Sequence, residues 1–252
     1  MRYAFAGDRQ IAVNILNLLL AKGHRPKALL VTNGIHATHK QELCSLAGLD
    51  KEMVFEGKDF TNSENIEKLK ALALDYIFGI HFPYIIPSEV LTIPRIGFLN
   101  LHPAYLPYNK GWHTPSWAIL DGTPYGATLH FMSVALDKGD IIYQEKLEVL
   151  PNDTANSLYE KVLLLEEKVF QKALPELESL RPNREGQTEK GSAHTKKDLK
   201  AKQELELDEP TTAGDLIDRL RALTTNTWEE AAYFKKDGKK YKVQIVIQET
   251  EE

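Results

Sequence analysis

The chain has 252 residues, enough to bury a sizeable core as one large domain or as one domain with a small appendage. Charged residues make up 27% of it and apolar residues 42%, the balance of an ordinary water-soluble globular protein. The formal net charge of −5 disfavours a nucleic-acid partner held over the whole surface.

The cysteine content and the N-terminal residues indicate the cellular compartment in which the protein is expected. Cys44 is the only cysteine, so an intrachain disulfide and a structural zinc site built on cysteine thiolates are excluded. The first residues lack the apolar stretch of a signal peptide, and no apolar run reaches the roughly 20 residues that span a bilayer. We therefore expect a cytoplasmic protein without a membrane partner.

The first hundred residues alternate short apolar runs with segments of helical periodicity. Apolar residues recur at helical spacing from Ile11 to Leu19, and Ser63 is expected to begin a later helix. This alternation predicts a parallel sheet with helices on both faces, which binds ligands beyond the carboxyl ends of its strands. The predicted strands are Tyr3–Ala6, Ala28–Val31, Met53–Phe55, Asp75–Ile80 and Gly97–Leu101.

The pattern changes after Pro115. Two strands, a long helix capped near Asp153, and a final helix and hairpin are predicted, so the expected fold class is α/β: a Rossmann-like, mostly parallel twisted sheet with a small C-terminal extension. We divide the chain into a main domain at 1–180, a polar linker at 181–203 and a subdomain at 204–252. The predicted elements are strands Gly126–Val134 and Asp140–Val149, a helix running to Leu174, a helix at Thr212–Leu223, and a hairpin at Tyr233–Ile247 that turns at Asp237-Gly238.

Gly7 stands where a dinucleotide-binding turn would lie, between the first strand and the first helix. The second and third glycines of that fingerprint are missing, so dinucleotide binding is not supported. One interpretation is a tight turn. The other is that Asp8 and Arg9 face an anionic ligand at the helix N-terminus, where Arg9 would hold a phosphate.

Two polar residues, Asn100 and His102, close the fifth predicted strand. Their spacing of two places both side chains on one face of that strand, and Pro103 ends it, so the pair lies at its tip. Asp137, in a turn before a later strand, could complete a set of amide, imidazole and carboxylate groups. No serine or cysteine stands beside them as a nucleophile, which favours direct group transfer over a covalent acyl-enzyme.

Several motifs in the same order resemble the formyltetrahydrofolate-dependent formyltransferase family. The likeness covers roughly residues 1 to 180, and His102 and Asp137 are 35 residues apart, as in that family. Leu220–Thr224 also resembles the segment after the catalytic domain in longer members. Within the family, Lys110–Trp117 is most similar to the nucleotide-linked amino-sugar N-formyltransferases. The motifs that carry the likeness are Asn100-Leu101-His102-Pro103, Leu106-Pro107, Lys110-Gly111 and Leu136–Ile142.

The resemblance implies a formyltransferase fold, N10-formyltetrahydrofolate as co-substrate, and no metal. It implies Asn100, His102 and Asp137 as the catalytic residues. Asn100 and a protonated His102 would donate hydrogen bonds to the oxyanion, and Asp137 would hold His102 and help to move the proton. Which of His102 and Asp137 is the base stays open. The donor-binding residues implied are Phe82, Tyr84, Ile85 and Ile86, in a loop around the pterin, and Asp140.

The acceptor implied is the amino group of a nucleotide-linked dideoxy amino sugar. We take dTDP-4-amino-4,6-dideoxyglucose as the first choice, in the biosynthesis of a surface polysaccharide such as the lipopolysaccharide O-antigen. The identity of the sugar, its carrier nucleotide and the position of the amine, C3 or C4, stay open. The residues assigned to this acceptor are Asp8, Arg9, Tyr105, Asn109, Trp112 and Arg221.

Three other functions compete with this one. Methionyl-tRNA formyltransferase would need a basic C-terminal domain, whereas residues 203–252 carry 12 acidic and 7 basic side chains. Phosphoribosylglycinamide formyltransferase carries a Gly/Ser-rich phosphate loop after the first strand, which Gly7-Asp8-Arg9-Gln10 does not match. A non-catalytic folate- or nucleotide-sugar-binding protein would not need the three catalytic residues.

The sequence contains weaker signals for a metal ion and for a protein partner. His36 and His39 are three residues apart, but no carboxylate or cysteine completes a ligand set, so no metal is expected. Apolar residues alternate along the last predicted strand and need a partner surface, either a second copy in a homodimer or the main domain. These residues are Tyr241, Val243, Ile245 and Ile247.

Overall fold

The computed structural model describes residues 1–34 and 37–251. The helices are α1 (Arg9–Ala21), α2 (Lys40–Ala47), α3 (Ser63–Ala71), α4 (Ser88–Leu91), α5 (Thr114–Leu120), α6 (Ala155–Glu178), α7 (Lys196–Gln203) and α8 (Ala213–Ala222). The strands are β1 (Tyr3–Gly7), β2 (Ala28–Val31), β3 (Val54–Glu56), β4 (Tyr76–Ile80), β5 (Gly97–His102), β6 (Lys110–Gly111), β7 (Tyr125–Phe131), β8 (Ile141–Leu147), β9 (Ala193–His194), β10 (Ala232–Lys236) and β11 (Lys239–Val243). No described helix combines the length and the apolarity needed to cross a bilayer.

Seven strands form one mixed sheet in the order β3-β2-β1-β4-β5-β7-β8. The pairs from β3 to β5 are parallel, whereas β7 runs antiparallel to β5. The predicted α/β class and mostly parallel sheet are therefore confirmed. β5 pairs with a parallel strand on one side and an antiparallel strand on the other, and its carboxyl end carries the predicted polar pair.

The chain divides into two compact units. The sheet unit comprises Met1–His102, Thr128–Gln144 and Glu166–Thr188, and the second unit comprises Pro103–Ala127, Glu145–Leu165 and Glu189–Glu252. In the sheet unit, small and branched side chains such as Ala4, Leu30 and Ile77 pack with Phe60 in one buried cluster. Phe78 instead contacts Tyr3 and Phe170 in an aromatic group, with ring centroids 5.2 and 5.5 Å away. The apolar strands thus stabilise the sheet by burial on both faces.

The segment predicted as a polar linker contains packed structure. β9 pairs with β6, and α7 begins at Thr195, whose backbone N–H donates to Asp198 Oδ2 over 2.6 Å in a capping box. Leu199, 2% exposed, joins the core of the second unit with Trp117 and Leu223. In the sequence of α7, this leucine is surrounded by charged residues, so hydrophobic periodicity does not predict the helix.

The C-terminal helix and hairpin lie close to their predicted positions. Thr212 caps α8 by accepting a hydrogen bond from the Asp215 backbone N–H, 3.0 Å away. Asp237 and Gly238 both have positive φ at the hairpin turn, as that tight turn requires. The second strand ends at Val243 and not at Ile247, because the backbone N–H of Ile245 donates to the Thr224 hydroxyl instead of to the hairpin partner.

Candidate active site

The three predicted catalytic residues lie together in the sheet unit. Asn100 and His102 are on β5, and Asp137 is in the turn that follows β7. The Nε2 atom of His102 is 3.6 Å from Oδ2 of Asp137, and both side chains are 8% exposed. This separation is an electrostatic contact and not a hydrogen bond. The fold thus brings an amide, an imidazole and a carboxylate together in one poorly solvated cluster.

A fourth residue, His130, belongs to the same cluster, and the sequence analysis missed it. His130 faces Asn100 in the antiparallel β5–β7 register, and its Nε2 atom lies 3.2 Å from Nδ2 of Asn100 and 3.7 Å from Oδ1 of Asp137. The signal available was the alternation of Thr128 and His130 on the predicted strand.

Hydrogen bonding fixes the tautomer of His130. Its Nδ1 atom is 2.8 Å from the carbonyl oxygen of Phe131, which can only accept, so Nδ1 carries the proton. Nε2 then accepts from the Asn100 amide. Burial, the largest influence, lowers the pKa of His130 to about 4, with Asp137 opposing and His102 adding to the shift. His130 is therefore neutral near pH 7, and its lone pair orients Asn100.

The predicted donor loop starts at His81, directly after β4. Its Nε2 atom lies 2.9 Å from both carboxylate oxygens of Glu166 on α6, and Glu166 is 0% exposed. His81 has a φ of 50°, so the chain turns sharply there. Because Ile80 and Leu101 are in register on parallel strands, the loop leaves the sheet at the same edge as His102.

The loop residues differ in exposure. Phe82 and Tyr84 pack against the core, and the Tyr84 hydroxyl donates to Asn33 Oδ1 over 3.1 Å. Ile86 is buried, whereas Ile85 is 92% exposed. Ile85 is thus the member of the predicted set whose side chain is most exposed.

Asp140 ends the turn that carries Asp137. Its Oδ2 atom lies 3.6 Å from the Arg184 guanidinium, which also stands 3.6 Å above the Phe131 ring. Val134 and Leu136 of the same turn are strongly exposed, at 85% and 64%. This turn therefore offers aliphatic side chains next to a paired carboxylate.

The assignment of Asp8 to the acceptor is corrected. Asp8 is buried and accepts from the Thr38 hydroxyl over 2.9 Å and from the backbone N–H groups of Thr38 and His39. Burial raises the pKa of its carboxyl, but hydrogen bonds from Arg9, Thr38 and His39 outweigh it, so the net pKa lies below its usual range. Asp8 fastens a loop of the sheet unit, while the neighbouring Arg9 is exposed.

Two further acceptor assignments are corrected because the side chains serve the second unit internally. Asn109 is 1% exposed, donates to the Pro124 carbonyl over 3.2 Å and accepts from the Thr123 hydroxyl. Arg221 is 8% exposed and donates to the carbonyls of Leu150 and Asp153 over 2.6 and 2.7 Å. It thereby joins the end of α8 to the start of α6.

Tyr105 and Trp112 also lie in the second unit and remain accessible. Tyr105 is half-buried, with the Lys146 ammonium 5.1 Å from its ring centroid. Trp112 is 40% exposed, and the Lys196 ammonium stands 3.7 Å above its ring. Both residues keep a surface that a ligand could contact.

Metal ligands do not gather in the described part of the chain. No group of three histidine, cysteine, aspartate or glutamate side chains there could hold an ion. His36, one of the two histidines weighed in the sequence, lies outside the described residues.

Two family models match the sequence. One, described as formyl transferase, matches residues 16–174. The other, described as the N-formyltransferase dimerization C-terminal domain, matches residues 198–249. Residues 175–197 lie between the matched ranges.

Curated relatives include formyltransferases that are named for different acceptors. A dTDP-4-amino-4,6-dideoxyglucose formyltransferase of Mycobacterium tuberculosis is 28% identical over 174 residues, which are 69% of this chain and 74% of that protein. A methionyl-tRNA formyltransferase of Methylococcus capsulatus is 31% identical over 237 residues, 92% of this chain and 76% of that protein.

Solved structures share the fold. A sugar N-formyltransferase of a Shewanella species has a TM-score of 0.84 and 24% identity, with 100% of this chain and 99% of that chain covered. The N-formyltransferase of Helicobacter canadensis, solved with folinic acid and dTDP-3-aminofucose, has a TM-score of 0.70 and 21% identity, with coverage of 94% and 85%.

Proposed function

The chain belongs to the formyl transferase family, and on that premise we propose that it moves a formyl group from N10-formyltetrahydrofolate to the amino group of a nucleotide-linked dideoxy amino sugar. The observation that carries the proposal is the cluster of Asn100, His102 and Asp137 in a poorly solvated place, with His102 and Asp137 3.6 Å apart. In this reaction the amine nitrogen bonds to the formyl carbon, and the bond from that carbon to N10 of the donor breaks.

Asn100 and His102 stabilise the charge that develops on the formyl oxygen. The Asn100 amide donates one of its N–H groups to His130 Nε2 over 3.2 Å, and this bond sets the direction of its second N–H. A protonated His102 supplies the other donor. Donors that are oriented before the reaction act strongly at a poorly solvated site, and removal of one typically costs about 100- to 1000-fold in rate.

Asp137 and His102 handle the proton. The incoming amine loses a proton as it attacks, and the departing N10 nitrogen gains one. The carboxylate lies 3.6 Å from His102 Nε2 and 3.7 Å from His130 Nε2, within electrostatic reach of both imidazoles. His130 is neutral and its Nε2 accepts from Asn100, so it is not available to move this proton, and the proposal assigns that step to His102 and Asp137.

The residues of the sheet unit fit a flat, partly apolar donor. Ile85 of one loop and Val134 and Leu136 of another are aliphatic side chains left exposed by the fold. Asp140 offers a carboxylate that could accept hydrogen bonds from ring nitrogens. Folate supplies the formyl group, and these residues orient it toward Asn100 and His102.

For the acceptor we retain Arg9, Tyr105 and Trp112. Arg9 is exposed at the start of α1, where a pyrophosphate would find a cation and a helix N-terminus. The name of the mycobacterial relative favours dTDP-4-amino-4,6-dideoxyglucose as the sugar nucleotide. The product would then serve a surface polysaccharide such as the lipopolysaccharide O-antigen.

A homodimer is part of the proposal. The second family model is that of a dimerization domain, and apolar side chains are exposed in the matched range. Ile217 is 46% exposed, Trp228 54% and Val246 95%. Burial of these side chains against a second copy would remove apolar surface from water.

Mass spectrometry of a panel of nucleotide-linked amino sugars tests the function. Each sugar is incubated with formyltetrahydrofolate and wild-type protein, and a product heavier by one formyl group is expected for at least one dideoxy amino sugar. The Asp137→Asn variant is the control and should form that product at least about 100-fold more slowly. If no sugar gains a formyl group, the proposal is wrong.

Initiator methionyl-tRNA in the same assay tests the acceptor for which the Methylococcus capsulatus relative is named. The C-terminal residues 203–252 carry more acidic than basic side chains, so tRNA binding should be weak. Turnover of the tRNA, with binding that falls steeply as salt is raised, would instead assign the chain to the methionyl-tRNA enzymes.

A further inference from the structure

The amide of Gln187 holds the turn that carries Asp137. Its Nε2 atom donates to the carbonyl oxygen of Asp137 over 2.9 Å and to that of Gly139 over 2.8 Å. These two bonds use both N–H groups of the amide and so fix its orientation. The remaining oxygen, Oε1, is buried and has no hydrogen-bond partner among the described residues. Gln187 thus donates two hydrogen bonds to the turn, while its own side-chain oxygen accepts none from the described residues.

The exposed part of the turn contributes little packing to the fold. Asp137 has a φ of 51°, in the left-handed region that disfavours residues with a side chain. Residues 133–136 are exposed, so they contribute no buried packing. Within the turn, the Ser133 hydroxyl and the Lys138 N–H both donate to the Ala135 carbonyl, over 2.8 and 3.3 Å. The two bonds from Gln187 therefore fasten the part of the turn that lies closest to the carboxylate.

The backbone that presents Gln187 is itself anchored. Glu185 and Ile141 exchange two backbone hydrogen bonds of 2.8 and 3.0 Å. Arg184 donates to the Ile96 carbonyl over 2.9 Å and stacks on Phe131. The segment 184–187 thus brings the glutamine to the turn on a fixed backbone.

We propose that Gln187 is a positioning residue for formyl transfer: its amide keeps the Asp137 carboxylate beside His102 and His130. The inference rests on the proposed function. Without the two bonds, the turn loses its constraint at Asp137, and the separations of 3.6 and 3.7 Å to the two imidazoles are no longer maintained. Catalysis then falls because the groups must be oriented at each turnover.

The test compares two glutamines that make the same kind of contact. Gln203 donates through Nε2 to the carbonyls of Glu229 and Ala231, over 2.7 and 3.2 Å, in the second unit. Gln187→Met and Gln203→Met each remove two such bonds and keep the side-chain length. We expect kcat to fall at least about 10-fold in Gln187→Met, with both KM values within about two-fold of wild type, and to stay within about two-fold in Gln203→Met. Equal kcat values for Gln187→Met and wild type, or equal losses in both variants, would overturn the inference.

A second variant keeps the test decisive if Gln187→Met folds poorly. In Gln187→Glu the side chain has the same size, but when ionised it faces two carbonyl oxygens and cannot donate. When protonated it regains one of the two donors, so the ratio of its kcat to that of wild type should rise in part as the pH is lowered toward the ordinary glutamate pKa of about 4.3. A ratio that does not change with pH contradicts the proposed role.

Hydrogen exchange separates this inference from the proposed function. In protein without substrates, the Lys138 backbone amide should exchange at least about 10-fold faster in Gln187→Met than in wild type. Its exchange rate in Gln203→Met should equal that of wild type. If wild-type protein transfers no formyl group, the function is wrong, and this measurement still decides whether Gln187 orders the turn. An unchanged Lys138 exchange rate in Gln187→Met overturns the inference alone.

Discussion

The side-chain amide of Asn100 donates to the neutral ring of His130 across 3.2 Å, between two antiparallel neighbours of the sheet. The ring can accept because its other nitrogen donates to the Phe131 carbonyl. The direction of the Asn100 amide, which we propose to be catalytic, is thus set by a histidine 30 residues away in sequence. Both residues lie on strands, whose positions are better defined than those of loops.

Replacement of His130 by leucine should slow formyl transfer without unfolding the chain. The leucine keeps the apolar volume but offers Asn100 no acceptor, so the amide loses its fixed direction. We expect kcat to fall at least about 10-fold. The half-buried His24, paired with Glu178 across 2.7 Å, provides the control. If His130→Leu and His24→Leu have the same kcat, His130 does not orient Asn100.

The catalytic residues themselves should show larger effects. We expect His102→Ala and Asp137→Asn each to lose at least about 100-fold in turnover while the melting temperature changes little, because both groups act mainly in the transition state. Steady-state kinetics and thermal unfolding measure the two quantities. Near-wild-type rates in both variants would contradict the assignment of the site.

The low pKa of His130 predicts a pH-dependent stability. Burial lowers that pKa from 6.5 to about 4, so between these values the unfolded chain binds a proton that the folded chain does not. Stability is therefore highest above about pH 6.5 and falls as the pH approaches 4, by about 3 kcal/mol from this residue. Urea unfolding of wild type and His130→Asn over this range measures the difference. Identical pH dependence in the two proteins would show that His130 titrates normally.

Ile85 should affect donor binding alone. Its side chain is 92% exposed, so Ile85→Ser costs the fold almost nothing but removes apolar surface from the proposed pterin site. We expect the KM for the folate donor to rise about 10-fold, with the KM for the acceptor unchanged. Leu164→Ser, at a residue of α6 that is 65% exposed, is the matched control. A donor KM that does not move in Ile85→Ser would place the pterin elsewhere.

The buried pair of His81 and Glu166 should dominate the stability of the donor loop. His81→Leu leaves a carboxylate that is 0% exposed without its partner, at a cost of about 3–5 kcal/mol. Adding Glu166→Met should restore most of this loss. Breaking the exposed pair of Lys68 and Glu64 should change stability little. If His81→Leu and the double variant unfold at the same denaturant concentration, the pair does not support the loop.

The sequence predicted what depends on local periodicity. Alternating strands and helices, the Asn100 and His102 pair at a strand tip, and the turn at Asp237-Gly238 follow from patterns of two to four residues, and the structure contains them. Periodicity does not relate Asp137 to this pair; the family resemblance is what predicts it as the third catalytic residue.

The errors come from contacts between distant segments. Arg221 was assigned to a ligand because it is a cation on a helix, but its guanidinium donates to carbonyls 68 and 71 residues away. Asp8 was assigned because it precedes the N-terminus of the first helix, and Asn109 because it lies just past the strand of Asn100 and His102; both are likewise bonded inside the fold. His130 was overlooked because its partner is selected by strand pairing across the sheet, which one-dimensional spacing does not reveal.

The register of β5 and β7 has a consequence for how acceptor preference can change. The chain leaves the sheet after His102 and returns at Thr128, which is directly opposite His102. Since the two ends of this 103–127 excursion meet at one rung of the sheet, lengthening or exchanging it costs little chain entropy. Grafts between relatives at these two points would replace Tyr105 and Trp112 while the facing pair of Asn100 and His130 keeps its register. The rung thus marks two points at which the residues proposed to bind the acceptor can be exchanged, in grafts that keep the β6–β9 pair and the buried Trp117.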